Sequence, residues 1–312
     1  VIHNSNPSSM NERADMYPSR SNLKAQFIKR KEPIVYSAPS VKPPLDQSLI
    51  DQYANDGFMV VEDVFTPEEV AMFRRELNRL RVDPAIEASG ETITEYDSDE
   101  VRSVFRIHQV SEVFKRLAGD PRLAGIARYL LDDDVYIHQS RLNYKPGFHG
   151  KEFYWHSDFE TWHVEDGMPA MRALSISVTL TENHTNNGPL MLIPGSHKEF
   201  VVCEGHTPAE HFRSSLKKQD YGVPNDGSLC ELAAQGGIFT ATGKPGSIIV
   251  FDCNTMHGSN SNISPFPRSN AFIVYNAMSN RVGAPYCDRS VRPEYICSRD
   301  SISPIATGAD YD

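Results

Sequence analysis

The order in which two hydrophobic periodicities occur is the strongest constraint on what this chain can become. Up to about Asp134 the apolar residues recur at helical spacing, and after it they gather into short β-rich runs. Thr66-Pro67-Glu68-Glu69 predicts a helix start: Thr66 as N-cap, Pro67 at the first helical position, Glu69 closing a capping box. Val70, Phe73, Leu77 and Leu80 then follow as an apolar stripe that belongs in a core. Further helical stretches are expected over Glu112–Leu117 and Pro121–Leu131. Beyond Asp134 the runs Val135–Leu142, Ala173–Thr181, Pro189–Ile193, Ser247–Phe251 and Ala271–Ala277 are separated by turn residues such as Asn186-Asn187-Gly188-Pro189 and Lys244-Pro245-Gly246. Helices that precede the strands argue against a doubly wound parallel sheet. They argue for a mainly β fold with flanking helices, an antiparallel sandwich or barrel with the jelly roll among the candidates.

Length and composition narrow the class further. The 312 residues show no internal repeat and no second core, so one domain over residues 46–312 is expected. Residues 1–45, broken by Pro7, Pro18, Pro33, Pro39, Pro43 and Pro44, predict an extended or partly disordered N-terminal arm. The stretch between Glu204 and Gly237 predicts an excursion from the sheet. Uninterrupted apolar stretches such as Ile248–Phe251 and Phe58–Val61 fall far short of the roughly 20 residues of a membrane helix. The balance of 31 Lys+Arg against 41 Asp+Glu, a net −10, disfavours a nucleic-acid partner. Cys203, Cys230, Cys253, Cys287 and Cys297 are odd in number and lack a CxxC pair, which disfavours a disulfide framework. With no apolar core of signal-peptide length near Val1, a cytoplasmic location is the expectation.

Several catalytic signatures are missing: there is no GxSxG, HExxH, GxxxxGK[ST] or GxGxxG. A histidine-carboxylate pattern is what the chain offers instead. In an extended strand His156-Ser157-Asp158 would send an imidazole and a carboxylate to the same face. With a second imidazole from far along the chain, this makes the facial triad of two His and one carboxylate that holds non-haem Fe(II). The bare pattern is weak, since composition alone yields about one or two copies in such a chain. Three occur, with His163-Val164-Glu165 and His197-Lys198-Glu199 as rivals, and only context chooses among them.

That context is long. Gln139-Ser140-Arg141-Leu142-Asn143-Tyr144-Lys145-Pro146-Gly147-Phe148 leads into Phe153-Tyr154-Trp155-His156-Ser157-Asp158-Phe159-Glu160-Thr161-Trp162-His163 and on to Pro169. Asn187-Gly188-Pro189, Pro194-Gly195-Ser196-His197, Phe251-Asp252-Cys253-Asn254-Thr255-Met256-His257 and Pro267-Arg268-Ser269-Asn270 complete the series. The chain resembles the phytanoyl-CoA dioxygenase-like superfamily of Fe(II)/2-oxoglutarate oxygenases and, within it, the ectoine hydroxylases, over roughly residues 45–295.

The resemblance implies a double-stranded β-helix with His156, Asp158 and His257 as both the metal ligands and the catalytic centre. It implies O2 and 2-oxoglutarate as cosubstrates, the latter held by Arg268 and Lys145, with Asn143 placed beside them. Ectoine, a compatible solute of osmotic stress, is the implied substrate, with Gln139 and Trp162 as its contacts and Phe251 as a further lining position. Trp155, next to His156, is expected on the opposite strand face as a structural residue. The implied reaction converts ectoine to 5-hydroxyectoine and releases succinate and CO2, in a homodimer with no nucleic-acid or membrane partner. Two alternatives stay open: an Fe(II)/2-oxoglutarate hydroxylase of another small polar metabolite such as a free amino acid, and a non-catalytic cupin-like metabolite binder.

Overall fold

Side chains alternate between two faces along a strand, and here each face has its own chemistry. In the computed structural model, which describes residues 14–300 and 302–306, seven strands pair antiparallel. Their order is Phe58–Val61, Ile248–Asp252, Ala173–Thr179, Arg268–Ala277, Val135–Lys145, Val101–Phe105 and Thr92–Thr94. One face presents Leu142, Ile176, Val178, Ile248, Val250 and Ile273, all buried in one apolar cluster with Phe73, Leu77, Leu80, Phe114, Leu123 and Ile126 of the helices. Removing this surface from water is the main drive for docking helices on sheet. The other face carries Gln139, Arg141, Asn143 and Lys145, in register with Val274, Phe272, Asn270 and Arg268 of the neighbouring strand.

A second antiparallel sheet, ordered Phe239–Thr240, Leu190–Leu192, His257–Ser259 and Phe153–His156, closes over that polar face. Leu190 and Leu192 meet Phe58, Ile249, Phe251 and Phe272 between the two sheets. The result is the double-stranded β-helix, a jelly-roll barrel flanked by helices. Among the described residues no helix is long and apolar enough to cross a membrane.

Local signals located several elements well. The helix Pro67–Arg81 has Thr66 as N-cap, whose side chain accepts from the Glu69 backbone N–H at 3.2 Å while the Glu69 carboxylate accepts from the Thr66 N–H at 2.8 Å. Helices Glu112–Ala118 and Pro121–Leu131 lie where periodicity put them. No strand occurs between Val201 and Phe239, where the excursion carries the helices Phe212–Ser215 and Asp226–Gly236 instead.

One reading needs correction. His156 ends a strand, but Asp158 is not on it: Ser157 is the N-cap of a helix, Asp158–Asp166. Every residue of that helix except Thr161 is buried, so no polar stripe alternates with an apolar one and the helical period is invisible.

The arm is extended chain laid against the barrel. Residues 1–13, Pro7 among them, lie outside the described residues. Phe27–Lys29 pairs with Glu199–Val201, and Tyr17 is wholly buried against Phe159 and Phe200.

One turn ties this scaffold to the site. Gly57 ends the helix Gln47–Asp56 at φ 85°, and a Cβ there would stand 2.5 Å from His197 Nδ1 and 2.6 Å from Thr255 Oγ1. Gly57→Ala is therefore expected to destabilise the protein by about 1–3 kcal/mol in urea unfolding. An unchanged midpoint would mean that the Thr255 turn yields freely.

Candidate metal centre

Two strands and one helix start bring two imidazoles and one carboxylate together. His257 and His156 are direct partners across neighbouring antiparallel strands, with ring centroids 4.4 Å apart. Asp158 opens the helix that follows, where the positive end of the helix dipole favours a carboxylate. His156 Nε2 lies 3.5 Å from Asp158 Oδ1, and His257 Nε2 lies 3.7 Å from Asp158 Oδ2. One ligand atom from each residue falls within 4.8 Å of the others.

The protonation pattern suits a cation. His156 Nδ1 faces the Tyr154 carbonyl at 2.6 Å and His257 Nδ1 faces the Thr255 carbonyl at 2.9 Å. A carbonyl only accepts, so each Nδ1 donates, which leaves each Nε2 as the ring atom able to ligate. Burial pushes the His257 imidazole down to about 4, against the opposing pull of Asp158, so the ring is neutral at neutral pH. Burial alone would raise the Asp158 carboxyl, but His257, His156 and Arg141 hold it below its usual range. Asp158 Oδ2 is buried without a hydrogen-bond donor. Two imidazoles and a carboxylate with one unsatisfied oxygen fit a divalent ion such as Fe(II).

Farther along the same strand face two basic side chains stand side by side. Lys145 and Arg268 are register partners on adjacent strands, and both are buried. Lys145 Nζ donates to Ser259 Oγ at 2.8 Å and to the Asn260 carbonyl, and Arg268 Nη1 donates to Asn270 Oδ1 at 3.1 Å. Arg268 Nε has no acceptor. Burial, then Arg268 and Arg102, force the Lys145 amine well below its ordinary value; burial, then Arg102, bring Arg268 down to about 10, which still leaves it cationic. Among the described residues neither has a carboxylate at ion-pairing distance, so the pair is set to receive an anion. Asn143, one step along the same strand face, accepts from Ser103 Oγ at 3.0 Å.

The cleft that reaches the metal triad is lined by Gln139, Arg141, His156, Asp158, Trp162 and Arg292. Ser215, Leu216 and Gln219 of the excursion border it as well. Gln139 donates to the Ile296 carbonyl at 2.8 Å and accepts from Arg141. Trp162 is buried edge-on against His138 at 5.0 Å. Phe251 does not line this cleft: its ring lies 4.9 Å from His257, between the two sheets. Trp155 packs with Ile193, Val201, Leu232 and Met256, away from the triad.

Sequence reasoning passed over Arg141 and Arg292. Arg141 had a signal, the strand parity it shares with Gln139 and Asn143; Arg292 lies in a loop with no motif around it.

The rival histidine motifs have structural employment. His163 Nδ1 faces the Met168 carbonyl at 2.7 Å and its Nε2 faces the Asp15 carboxylate at 2.7 Å, and the ring stacks on Tyr286. His197 is wedged beside Gly57 with Nε2 3.1 Å from the Ala54 carbonyl. A further buried group, His138, Asp166 and Cys297, has metal-like spacing. However, Arg292 takes both Asp166 oxygens, at 2.8 and 2.6 Å, and its charge opposes a cation there.

Comparison with known proteins agrees with this geometry. Residues 53–270 match the family model described as Phytanoyl-CoA dioxygenase (PhyH). An ectoine dioxygenase of Stutzerimonas stutzeri is 53% identical over 292 residues, 94% of this chain and 97% of that protein. The crystal structure of EctD from S. alaskensis with 2-oxoglutarate and 5-hydroxyectoine superposes with a TM-score of 0.86 at 50% identity, covering 94% of this chain and 98% of that one. The same enzyme with bound Fe gives a TM-score of 0.84 at 49% identity, with the same coverage. With a family model spanning most of its length and relatives above half identity, this chain belongs to the phytanoyl-CoA dioxygenase family.

Proposed function

We propose that this chain is an Fe(II)- and 2-oxoglutarate-dependent dioxygenase that hydroxylates ectoine to 5-hydroxyectoine, consuming O2 and releasing succinate and CO2. The observation that carries the reading is the arrangement of three ligand atoms on a cleft, with two buried basic side chains, Lys145 and Arg268, farther along the strand face that carries Gln139 and Arg141. The ectoine dioxygenases and the EctD complexes to which the chain is similar supply the substrate.

His156, Asp158 and His257 would hold the iron, each imidazole kept in the ligating tautomer by its backbone carbonyl. Iron and 2-oxoglutarate together supply the oxidising power for C–H hydroxylation. Three protein ligands leave the rest of the coordination sphere to small molecules. Arg268 and Lys145 receive the distal carboxylate of the dicarboxylate cosubstrate, a charge-assisted contact made stronger by burial. Asn143 supports this end of the pocket from the same strand face.

Ectoine combines a carboxylate with a cationic amidine-type ring. Gln139 and Arg292 present a neutral donor and a cation to its anionic end, and Arg292 is aimed by Asp166. Trp162 offers an aromatic wall to the ring. The polypeptide's contribution is to bind, orient and keep the pocket dry, so that oxidation falls on one C–H bond. The same reading includes a homodimeric, cytoplasmic enzyme of osmotic stress; sedimentation tests the first of these.

Three outcomes are expected. Purified protein supplied with Fe(II), 2-oxoglutarate, O2 and ectoine should form 5-hydroxyectoine and succinate in equal amounts; turnover confined to proline or another amino acid would overturn the substrate. His156→Ala should weaken iron binding by at least about tenfold, or about 1.4 kcal/mol, in a metal titration. Arg268→Ala should raise the 2-oxoglutarate requirement by about tenfold or more while metal affinity stays nearly intact; loss of metal instead would make the residue structural.

A further inference from the structure

The arm carries two arginines that are buried far from their own segment's surface. Arg20 reaches the helix that begins at Asp158. Its Nε and Nη2 make a two-pronged contact with Glu160, at 3.0 and 2.6 Å, and Nη1 reaches Glu165 at 3.0 Å. Nη2 also donates to Thr161 Oγ1 at 3.1 Å, and Nη1 to Thr207 Oγ1 of the excursion at 3.3 Å. Ser19 adds a bond to Glu160 at 2.7 Å. The Arg20 side chain is 0% exposed. Its backbone sits at φ 53°, a conformation that a bulky residue keeps only when its surroundings impose it. Gly222 lies so close that a Cβ would stand 2.2 Å from Arg20 Nη2.

Arg30 does the same for the other half of the triad. Nη1 pairs with Asp252 at 2.8 Å, and Nη2 donates to the carbonyls of Pro33 and Met171, both at 3.0 Å. Asp252 Oδ1 also accepts the Asn254 N–H at 2.9 Å, and the Asp252 carbonyl accepts the Thr255 N–H at 3.0 Å. That turn delivers His257 and supplies the Thr255 carbonyl that orients its ring. The two braced segments are themselves joined, since Ser157 Oγ donates to Asn254 Oδ1 at 2.9 Å and the Phe159 N–H donates to the Cys253 carbonyl at 2.7 Å.

We propose that Arg20 and Arg30 are positioning residues for the metal centre: the arm clamps, with one guanidinium each, the helix start that carries Asp158 and the turn that carries His257. This rests on the metal-binding reading above. A planar guanidinium with several directed donors fixes both the distance and the orientation of the carboxylates it grips, which a lysine ammonium does not. Ligand atoms held slightly wrong cost metal affinity and leave the reacting C–H bond misplaced.

Arg20→Lys and Arg30→Lys keep the buried charge and remove the fork. Each should weaken Co(II) binding in a calorimetric titration by about tenfold. Each should also raise the succinate formed per 5-hydroxyectoine in an assay containing ascorbate, which supplies the two electrons that ectoine does not give when cosubstrate turnover escapes it. Thermal unfolding of the metal-free proteins supplies the control for a purely structural role. If Co(II) affinity and product ratio match the unaltered protein while only the melting midpoint falls, the positioning proposal is overturned and the triad assignment stands. If the unaltered protein binds Co(II) no more tightly than His156→Ala, the metal reading itself fails. Should a lysine variant not fold, Glu160→Gln, which leaves Arg20 its Glu165 partner, should show the same two shifts; unaltered affinity and ratio there overturn the proposal equally.

Discussion

The pairing of His156 with His257 across two antiparallel strands is the contact on which the rest of this structure depends. Strand side chains alternate with a period of two, so a one-residue slip would turn one imidazole away from the cleft. The register is secured from both sides. Leu192 pairs with His257 on the far edge, and Leu190 and Leu192 are buried against Phe251 and Phe272 of the opposing sheet. Hydrophobic packing between the sheets therefore sets the geometry of a polar centre. The backbone completes it, since carbonyls two residues before each histidine decide which ring nitrogen is free.

Electrostatics inside the barrel runs opposite to that of the chain as a whole. The protein carries a net −10, yet Lys145 and Arg268 are buried and Arg141 half-buried near a triad whose one carboxylate is Asp158. Burying cations without carboxylate partners is costly, and a fold retains them where an anion completes the balance. The interior is thus matched to a dicarboxylate cosubstrate and to the carboxylate of a zwitterionic substrate. Arg292 differs from these three in being tied to Asp166, which fixes where its guanidinium points.

The legible parts of the sequence were those governed by neighbours within about one helical turn. Thr66 and Glu69 announced their helix because a capping box is local chemistry. The strands after Asp134 announced themselves through short β-branched runs between turn residues. Asp158–Asp166 stayed hidden because the arm, the barrel and Tyr286 cover it on all sides, and a helix buried all round has no stripe. Arg292 stayed hidden for a related reason: its partner Asp166 is 126 residues away. The motif run exposed the ligand types, but the mechanism assumed for His156 and Asp158, a shared strand face, was replaced by a strand end and a helix start.

By itself the sequence determined the order of helices before strands, the helix caps, and the residue types able to hold a divalent ion and an anionic cosubstrate. The tertiary structure alone decided that Lys145 would lie opposite Arg268, that His163 and His197 would be structural, and that the arm would be a brace. Arg20 and Glu160 are 140 residues apart, and Arg30 and Asp252 are 222 apart. Contacts over such separations leave no local period to read. They exist only once the strands have paired and the hydrophobic faces of both sheets have been buried.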